Sequence, residues 1–348
     1  MTVTDPCRWC LPGKRPISVC IALCLSIPWA CAETGPSVLP TLSLPVACVP
    51  GQTCFIQSYV DIDPSPEIRD YACGTAAQEG HNGTDFRLLS STVAEQGVSV
   101  LAAAGGRVKA VRDGMADVLV HGRQDARIKD RECGNGVVVD HGRGWETQYC
   151  HLRRGSLAVR RGEAIQRGQR LGEVGFSGLA QFAHVHFEVR HNGRVVDPFT
   201  GRGQEALCAA DGTSAGGLWD ARVRDAFPYA NGEIIASGFV ASVPSLEHLE
   251  REGTLLPPDR SSEQLIFVVR FINLRHGDRV RLTVTGPSGF VVDTTSDPLG
   301  RNKATYVAYA GKRRRLPRWA AGSYAGQVQL LRGAVVVAEE GTILPLDN

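Results

Sequence analysis

The chain has 348 residues, with 38 Lys and Arg against 36 Asp and Glu. Its length accommodates about two domains, and its 39 glycines and short apolar runs favour many strands and turns over long helices. The nearly balanced charge gives no support to general electrostatic binding of nucleic acid, so no nucleic-acid partner is expected.

Residues 1–32 have the organisation of a signal peptide. Three basic residues precede the apolar stretch "ISVCIALCLSIPWA", and Ala-Cys-Ala at 30–32 places small residues at the expected cleavage positions. The apolar run is too short, and too interrupted by proline, to indicate a membrane span. We expect cleavage after Ala32, a periplasmic or secreted protein, and no membrane span once the leader is removed. Lipid attachment at Cys31 stays open as an alternative.

Removal of this leader changes the charge and the cysteine count. The 38 basic residues fall to 35 without Arg8, Lys14 and Arg15, and the 36 acidic residues fall to 35 without Asp5. The mature chain is therefore close to neutral. Six cysteines remain, namely Cys48, Cys54, Cys73, Cys133, Cys150 and Cys208. An even number of cysteines in an exported chain predicts disulfides.

One disulfide follows from local geometry. The segment "CGNGVVVDHGRGWETQYCHL" reads as two strands around a turn at "DHGR". A two-residue turn in which Asp140 faces Arg143 sets Cys133 opposite Cys150, and opposed residues of an antiparallel ladder are close enough to bridge. A longer turn with the same centre keeps this register, whereas a bulge breaks it.

The other two pairs have simpler arguments. "CVPGQTC" places a Pro-Gly turn between Cys48 and Cys54, which predicts a small local loop. Cys73 and Cys208 then pair by elimination. Zinc binding by cysteine is the alternative use, but the mature chain lacks a close Cys-x-x-Cys pair.

Along the mature chain, residues 33–66 read as a lead-in that is Pro- and Ser-rich over 33–45 and contains the Cys48–Cys54 loop. Residues 67–205 read as a first domain. Short strands separated by turn signals run from about 48 to 200, in "CFIQSYVD", "TDFRLL", "VSVLAAAGGRVKAVRDG", "GVVVDH", "ETQYCHL", "EAIQRGQRLGEVG" and "HVHFEVRHNGRVV". The charged stretch "VLVHGRQDARIKDREC" interrupts them as a surface loop.

Residues 206–232 read as a linker in which "GGLWDARVRDAF" favours a short helix. Alternation with period two returns between 233 and 348, in "QLIFVVRFINL", "DRVRLTVTGPSGFVVD", "KATYVAYAG" and "GSYAGQVQLLRGAVVVAEEG". This pattern predicts a small β-sandwich of the immunoglobulin-like type. The expected fold class is therefore all-β and antiparallel.

Five side chains in three segments suggest a metal-dependent hydrolase. "HNGTD" bends at Asn-Gly before a strand, which brings His81 and Asp85 to one point. In "AHVHFEVR", His184 and His186 project from the same face of a strand, and His151 follows the strand "ETQYC". A catalytic zinc takes three such ligands and leaves a fourth position for water. Spacing alone leaves open which histidine of the pair binds metal, and three unrelated surface histidine clusters are the alternative.

The order of "HNGTD", "YCHL" and "HVHFEVR" resembles that of the lysostaphin-type, or LytM-domain, zinc metallopeptidases that cut peptidoglycan. Between these segments, "VRRGEAIQRGQRLGEVGFSG" is similar to the family's spaced glycines and Gly-x-Ser/Thr-Gly loop, and "VVDPF" matches after the last strand. The resemblance covers about residues 75–200. It implies an antiparallel LytM-type peptidase domain within 67–205, with a groove across one face of its sheet.

Carried over by position, the resemblance implies that His81, Asp85 and His186 bind Zn²⁺. It also implies that His151 and His184 are the catalytic histidines. The activity implied is that of an exported metalloendopeptidase that hydrolyses peptide bonds in peptidoglycan stems or crosslinks, with peptidoglycan as the partner.

Some features of the chain depart from the family pattern. Phe182-Ala183 stands where family members often have a loop with proline. This departure affects how the substrate fits more than it affects the catalytic chemistry. The cysteines and the C-terminal sandwich are not general family features, and the sandwich is a candidate surface for a partner.

Two other function classes share features with this sequence. A non-catalytic LytM-type protein that binds peptidoglycan or activates an amidase typically lacks a ligand or a catalytic histidine, and this sequence lacks neither. A biotinyl or lipoyl carrier needs a lysine at an exposed turn, and "GEAIQRGQRLGEVGFSG" has none.

Overall fold

The computed structural model describes residues 41–120, 128–204, 208, 217–229 and 231–347. The predicted signal peptide at 1–32 lies outside these residues, as does the middle of the predicted surface loop at 121–127. Within the described part, every ladder between the strands named below is antiparallel, so the all-β, antiparallel prediction is confirmed. No helix in this part of the chain is long and apolar enough to cross a membrane.

Up to residue 204, the described residues form short strands and one short helix. They are β1 (Cys54–Ser58), β2 (Thr84–Leu88), α1 (Ser91–Glu95), β3 (Ser99–Leu101), β4 (Gly106–Arg112), β5 (Asn135–Gly142), β6 (Trp145–Leu152), β7 (Ala164–Ile165), β8 (Arg170–Glu173), β9 (His184–His191), β10 (Arg194–Asp197) and β11 (Arg202–Gly203). The C-terminal part has longer strands and two short α-helices among its described residues. In chain order, its elements are α2 (Ala221–Ala226), β12 (Glu233–Val240), α3 (Leu246–Arg251), β13 (Gln264–Leu274), β14 (Arg279–Gly286), β15 (Phe290–Thr295), β16 (Lys303–Arg313), β17 (Gly322–Arg332) and β18 (Val335–Leu346).

One large sheet forms the framework of the first part. Its central order is β1-β2-β9-β6-β5-β4-β7, β10 pairs with β9, and β11 pairs with β10. Alternate residues of the central strands fill the core beneath the sheet, and Phe86, Tyr149 and Phe187 are fully buried there. Because successive side chains of a strand point to opposite faces, the residues between them, including Asp85 and His186, lie on the other face. That face carries the site.

Segments outside the predicted first domain also pack into its core. Leu42 and Val46 of the predicted lead-in are buried in this core, and β1 pairs with β2. Trp219 of the predicted linker is fully buried in the same cluster. The short helix predicted for "GGLWDARVRDAF" is present as α2, and Asp220 caps it by accepting a hydrogen bond from Val223 N at 2.9 Å.

Three disulfide bonds join the cysteines in the expected pairs. They are Cys48–Cys54, Cys73–Cys208 and Cys133–Cys150.

The turn predicted between β5 and β6 was wrong. The strands reverse at Arg143-Gly144, not at "DHGR", because a two-residue hairpin turn of this kind needs positive φ at both central residues and these have φ of 52° and 80°. Val139 consequently pairs with Thr147. In this register Cys133 does not face Cys150 across the ladder. The chain instead bends just before β5, at a glycine with φ of 63°, and this brings the two Cα atoms to 4.8 Å.

The helices α1 and α3 were not predicted from the sequence. Each begins at a serine cap, with Ser90 accepting a hydrogen bond from Val93 N and Ser245 accepting one from His248 N. Segments of five and six residues are too short to display a helical period, so the caps alone would have indicated them.

The C-terminal part consists of two sheets on a common core. One sheet has the order β12-β13-β16 and the other β15-β14-β17-β18. Phe267 and Phe271 of β13 pack in one buried cluster with Leu282 of β14 and Val328 of β17. This arrangement is a small β-sandwich, and its immunoglobulin-like character stays a prediction.

The two parts meet along β1, and the described residues of both belong to one compact unit. Phe55 of β1 packs with Ile235 and Ile272 of the sandwich in a small buried cluster. Beside it, Gln57 Nε2 donates to the carbonyl oxygen of Ala304 at 2.8 Å. The edge strand of the large sheet is therefore covered by the sandwich.

Candidate active site

The five predicted site residues lie together in one cleft of about 480 Å³ on the polar face of the large sheet. Asp85 on β2 pairs in register with His186 on the adjacent β9, so their side chains are neighbours on one face. His184 lies two residues earlier on β9 and His151 near the end of β6. The loop before β2 delivers His81. The strand pairing β2-β9-β6 therefore assembles residues from distant parts of the chain.

The Asn-Gly dipeptide in "HNGTD" has a steric role at this point. A Cβ atom at Gly83 would lie 2.6 Å from Cε1 and Nε2 of His186, which is closer than real contacts allow. The loop passes this close to β9 only because residue 83 has no side chain. The bend between His81 and Asp85 thus brings the loop histidine onto the same point as the two strand residues.

Three side-chain atoms converge within hydrogen-bond distance of one another. His81 Nε2 lies 3.1 Å from His186 Nδ1 and 3.1 Å from Asp85 Oδ1, and His186 Nδ1 lies 2.9 Å from the same carboxylate oxygen. Among the described residues, this is the group of His, Cys, Asp and Glu side chains whose ligand atoms cluster tightly enough to hold a metal ion.

The chemistry of these donors fits a zinc ion. His81 Nδ1 lies 2.6 Å from the carbonyl oxygen of Tyr59 and donates to it, so the Nε2 of the neutral ring carries a lone pair directed at the cluster. Ligands on one tetrahedral zinc lie about 3.3 Å from each other, close to the separations observed here. Without a cation or a proton between them, the lone pairs on His81 Nε2 and Asp85 Oδ1 would repel each other.

The two remaining histidines are also held by backbone carbonyls. His151 Nδ1 donates to the carbonyl oxygen of Ser177 at 2.8 Å, and His184 Nδ1 donates to that of Phe182 at 2.9 Å. Each Nε2 is then left as the free acceptor. The two ring centroids lie 4.5 Å apart, and His184 Nε2 lies 3.6 Å from Asp85 Oδ1. The pair therefore stands beside the convergent cluster rather than within it.

His151 has an unusual backbone conformation. Its φ of 62° is in the left-handed region, which is uncommon for a residue other than glycine. Its N–H donates to the carbonyl oxygen of Cys133 at 2.8 Å, and its own carbonyl oxygen accepts from Gly175 N at 3.0 Å. Neighbouring segments on both sides thus hold the residue in this conformation.

The electrostatics of the cleft favour one positive charge at the convergent cluster. Burial alone would raise the pKa of Asp85, but His81, His184 and the hydrogen bond from His186 outweigh it and hold that pKa well below its usual range. Burial opposes a charge on His81 too, yet Asp85 raises the pKa of His81 above its ordinary value. The buried carboxylate of Asp85 thus favours a positive charge beside it.

The paired histidines behave in the opposite way. Burial, followed by the neighbouring His184 and His186, lowers the pKa of His151 well below its ordinary value. Burial likewise lowers the pKa of His184, although Asp85 partly offsets this effect. Both rings are therefore neutral at neutral pH, with an unprotonated Nε2 in the cleft.

Sequence reasoning missed several contacts that shape this site. Tyr59, Ser177 and Phe182 orient the histidines through carbonyl oxygens, and a backbone acceptor leaves no trace in side-chain identity. Glu132 lines the cleft from the end of the predicted surface loop. The only available signal was its position beside Cys133, a cysteine predicted to bridge to the residue before His151.

Comparison with known proteins identifies this region. Residues 79–198 match the family model of Peptidase family M23, so the chain contains an M23 (LytM-type) peptidase domain. Over 120 residues the chain is 32% identical to an uncharacterized metalloprotease of Haemophilus influenzae, a match that covers 34% of this chain and 20% of that protein. Over 117 residues it is 31% identical to the peptidoglycan DD-endopeptidase ShyB of Vibrio cholerae, covering 34% of this chain and 22% of that protein.

The match is confined to one domain. This chain spans about a fifth of the length of those two relatives. Among solved structures, it is similar to the catalytic domain of the antimicrobial peptidase lysostaphin from Staphylococcus simulans, with 18% identity over 40% of this chain and 85% of that one and a TM-score of 0.26.

Proposed function

We propose that the protein is an exported zinc metalloendopeptidase that hydrolyses peptide bonds in the stems or crosslinks of peptidoglycan. The observation that carries this proposal is the convergence of His81 Nε2, Asp85 Oδ1 and His186 Nδ1 beside two neutral histidines in one cleft. The M23 match over residues 79–198 and the naming of a relative as a peptidoglycan endopeptidase support the substrate class.

In this proposal His81, Asp85 and His186 hold the metal, and His151 and His184 carry the protons. Zinc bound there would supply a Lewis acid that activates water and polarises the scissile carbonyl. His151 and His184 each present a neutral Nε2, so one can accept the proton of the attacking water. Once protonated, it can donate a hydrogen bond to the developing oxyanion or a proton to the leaving amine.

An export route and a cell-wall location support the same proposal. Three disulfides in the described residues are typical of a chain that folds in an oxidising compartment. The leader expected at 1–32 would take the protein there. The proposed location is therefore the periplasm or the extracellular side of the envelope.

Metal analysis of the purified mature chain tests the ligand set. The parent should hold one zinc per chain. Asp85→Ala should lose stoichiometric zinc, because the two neutral histidines that remain bind the cation far more weakly than they do together with the carboxylate. Asp293→Ala, which removes an exposed carboxylate far along the chain in the sandwich, is the matched control and should keep one zinc. If Asp85→Ala still holds one tightly bound zinc, the ligand assignment is wrong.

Digestion of purified sacculi tests the activity. The parent with zinc should release peptides over time, and Asp85→Ala should not. Cosedimentation with sacculi without release of peptides would instead indicate a protein that binds peptidoglycan and does not cut it.

A further inference from the structure

Arg87 is a fully buried cation two residues from the proposed zinc ligand Asp85. It lies on the same face of β2 as that ligand, and its register partner on β9 is His184. A guanidinium in this position needs partners, because an unpaired buried charge is strongly unfavourable.

The carboxylate that pairs with Arg87 comes from the C-terminal part of the chain. Arg87 Nη2 donates to Glu250 Oε2 of α3 at 2.6 Å, and Nη1 donates to Gln57 Oε1 of β1 at 2.6 Å. Glu250 is itself buried, and its other carboxylate oxygen lies 3.0 Å from Arg270 Nη2 of β13. The carboxylate that balances Arg87 therefore belongs to a segment outside the M23 match.

The docking of α3 is fixed by further contacts with the peptidase part. Thr92 Oγ1 of α1 donates to the carbonyl oxygen of Arg251 at 3.1 Å. Arg270 Nη1 donates both to Leu89 O, just after β2, and to Leu249 O on α3, at 3.0 and 3.1 Å. Contacts on both sides of the junction, where the peptidase part meets the C-terminal sandwich, thus hold Glu250 in place.

On its other side, Arg87 reaches the wall of the cleft. The guanidinium carbon lies 4.7 Å from the centroid of the Phe182 ring, within the range of a cation–π contact. The Phe182 ring lies 4.5 Å from the His184 ring, and its carbonyl oxygen accepts the hydrogen bond that fixes the His184 tautomer. The His184 ring in turn lies 4.5 Å from that of His151. One continuous row of contacts therefore links Glu250 to the histidine pair.

We propose that Arg87 is a positioning residue for His184, and that Glu250 of the C-terminal part completes the site by orienting Arg87. The proposal rests on the catalytic role given to His184 above. Phe182 contacts both the guanidinium and His184: its ring packs against that imidazole, and its carbonyl oxygen accepts the imidazole's hydrogen bond. Loss of the guanidinium would let Phe182 move and would misalign His184, while the metal ligands would keep their own contacts.

Steady-state digestion of sacculi by the full mature chain tests this arrangement. Arg87→Met and Glu250→Gln should each lower turnover by about ten- to a hundred-fold, the effect of a displacement on the order of 1 Å at a catalytic group, with little change in apparent KM and one zinc retained. Phe182→Leu should share this phenotype, and its effect should not multiply with that of Arg87→Met, because the two residues act in one row. Asn302→Ala, which removes a hydrogen bond to Thr75 across the same junction, is the control and should keep parent turnover.

A triple variant separates positioning from simple stabilisation. Replacing a whole buried ion network by apolar residues of similar size often restores stability. Because Glu250 also pairs with the buried Arg270, Arg87→Met with Glu250→Leu and Arg270→Met should regain the thermal midpoint of the parent. Its turnover should stay low if the guanidinium positions Phe182. Recovery of turnover together with stability would show that the pair is only structural, and the proposal would be wrong.

A spectroscopic readout is independent of digestion. In the zinc-loaded full chain with ¹⁵N-labelled histidine, Glu250→Gln should shift the imidazole signals of His184, and Asn302→Ala should leave them in place. Signals of His184 that stay unchanged in Glu250→Gln would overturn the inference. A parent that fails to digest sacculi while these shifts appear would remove the proposed activity and leave the link between Glu250 and His184 standing.

Discussion

At the scale of single residues, the two neutral histidines and the three convergent ligands make distinct contacts. His151 and His184 are each anchored by Nδ1 to a carbonyl oxygen and lie beside the cluster, whereas His81 and His186 each direct a nitrogen into it. Because His81 is anchored through Nδ1 to a carbonyl oxygen as well, the position of the remaining ring nitrogen, inside the cluster or beside it, separates the proposed roles more clearly than the sequence spacing of His184 and His186 did.

We therefore expect His151→Ala and His184→Ala to keep one zinc per chain and to lose turnover. Loss of general acid–base help typically costs about a hundred- to ten-thousand-fold in rate. The double variant should lose much less than the product of the single effects if both rings serve one step. Peptide release from sacculi and zinc analysis measure the two quantities. If His184→Ala loses zinc and His186→Ala keeps it, the two roles are exchanged.

Asp197, in the "VVDPF" segment, gives a prediction for stability. Burial, together with Asp70 nearby, raises the pKa of Asp197 from 3.8 to about 7, although hydrogen bonds from Thr200 and Phe199 to Oδ1 partly offset this effect. Its Oδ2 is buried without a hydrogen-bond partner. Between about pH 4 and pH 7 the folded state keeps a proton that the unfolded state has lost, so this residue makes the free energy of unfolding fall as pH rises through that window.

Asp197→Asn should remove this pH dependence and keep Oδ1 as an acceptor for Phe199 N and Thr200 N. The difference in unfolding free energy between parent and variant should change on the order of 1.4 kcal/mol per pH unit across the window and stay level above about pH 7. Asp197→Ala, which also removes the acceptor, should be destabilised at every pH. Urea unfolding at several pH values measures this. A difference between parent and Asn variant that is independent of pH would contradict the assignment.

At the scale of elements, the hairpin β5–β6 holds the end of β6 that delivers His151. The Cys133–Cys150 bond and the hydrogen bond from His151 N to Cys133 O tie this end to the segment before β5. Without the bond, the left-handed backbone of His151 would lose one of its constraints.

We expect Cys133→Ser with Cys150→Ser to keep zinc but to lower turnover markedly. Closing a loop of this size with a disulfide contributes roughly 3 kcal/mol to stability, so the thermal midpoint should also fall. Cys48→Ser with Cys54→Ser is the matched control, because its loop is shorter and lies away from the cleft. Peptide mapping without reduction verifies the bonds in the parent. Equal turnover in the two double variants would show that the Cys133–Cys150 bond has no specific role in positioning His151.

The same hairpin shows what the sequence determines. Alternating apolar residues identify β5 and β6, and the residues of the three His-bearing segments identify the cleft. The turn was placed wrongly because "DHGRG" offers two glycines, both with positive φ, and only the strand register decides which of them occupies the second turn position. The cysteine pair was nevertheless correct, through a bend before β5 that the sequence does not reveal.

Contacts across the junction were beyond prediction for a different reason. Arg87 reads in the sequence as the polar residue of a half-exposed strand, yet it is fully buried because Glu250 reaches it from 163 residues away. Pairings at such a separation depend on how the two parts dock, which local pattern and turn signals do not encode.

At the scale of the whole molecule, the two parts share their buried interface. Phe55 of β1 packs with Ile235 and Ile272 of the sandwich, and the carboxylate of Glu250 balances Arg87. Removing one partner of a buried ion pair costs about 3–5 kcal/mol, against a total stability of about 5–15 kcal/mol for a typical protein. Neither part is therefore expected to keep its native stability when the other unfolds.

We expect the mature chain to unfold in a single cooperative transition, with a calorimetric enthalpy equal to the van't Hoff enthalpy. Glu250→Ala should lower the midpoint of that whole transition, because it leaves Arg87 buried without its carboxylate, whereas Asn302→Ala should shift it little. A chain that ends at residue 232 should unfold at a far lower temperature than the parent, since it exposes Phe55 and leaves Arg87 unpaired. Two separate transitions, only one of which moves in Glu250→Ala, would show that the sandwich and the peptidase part fold independently.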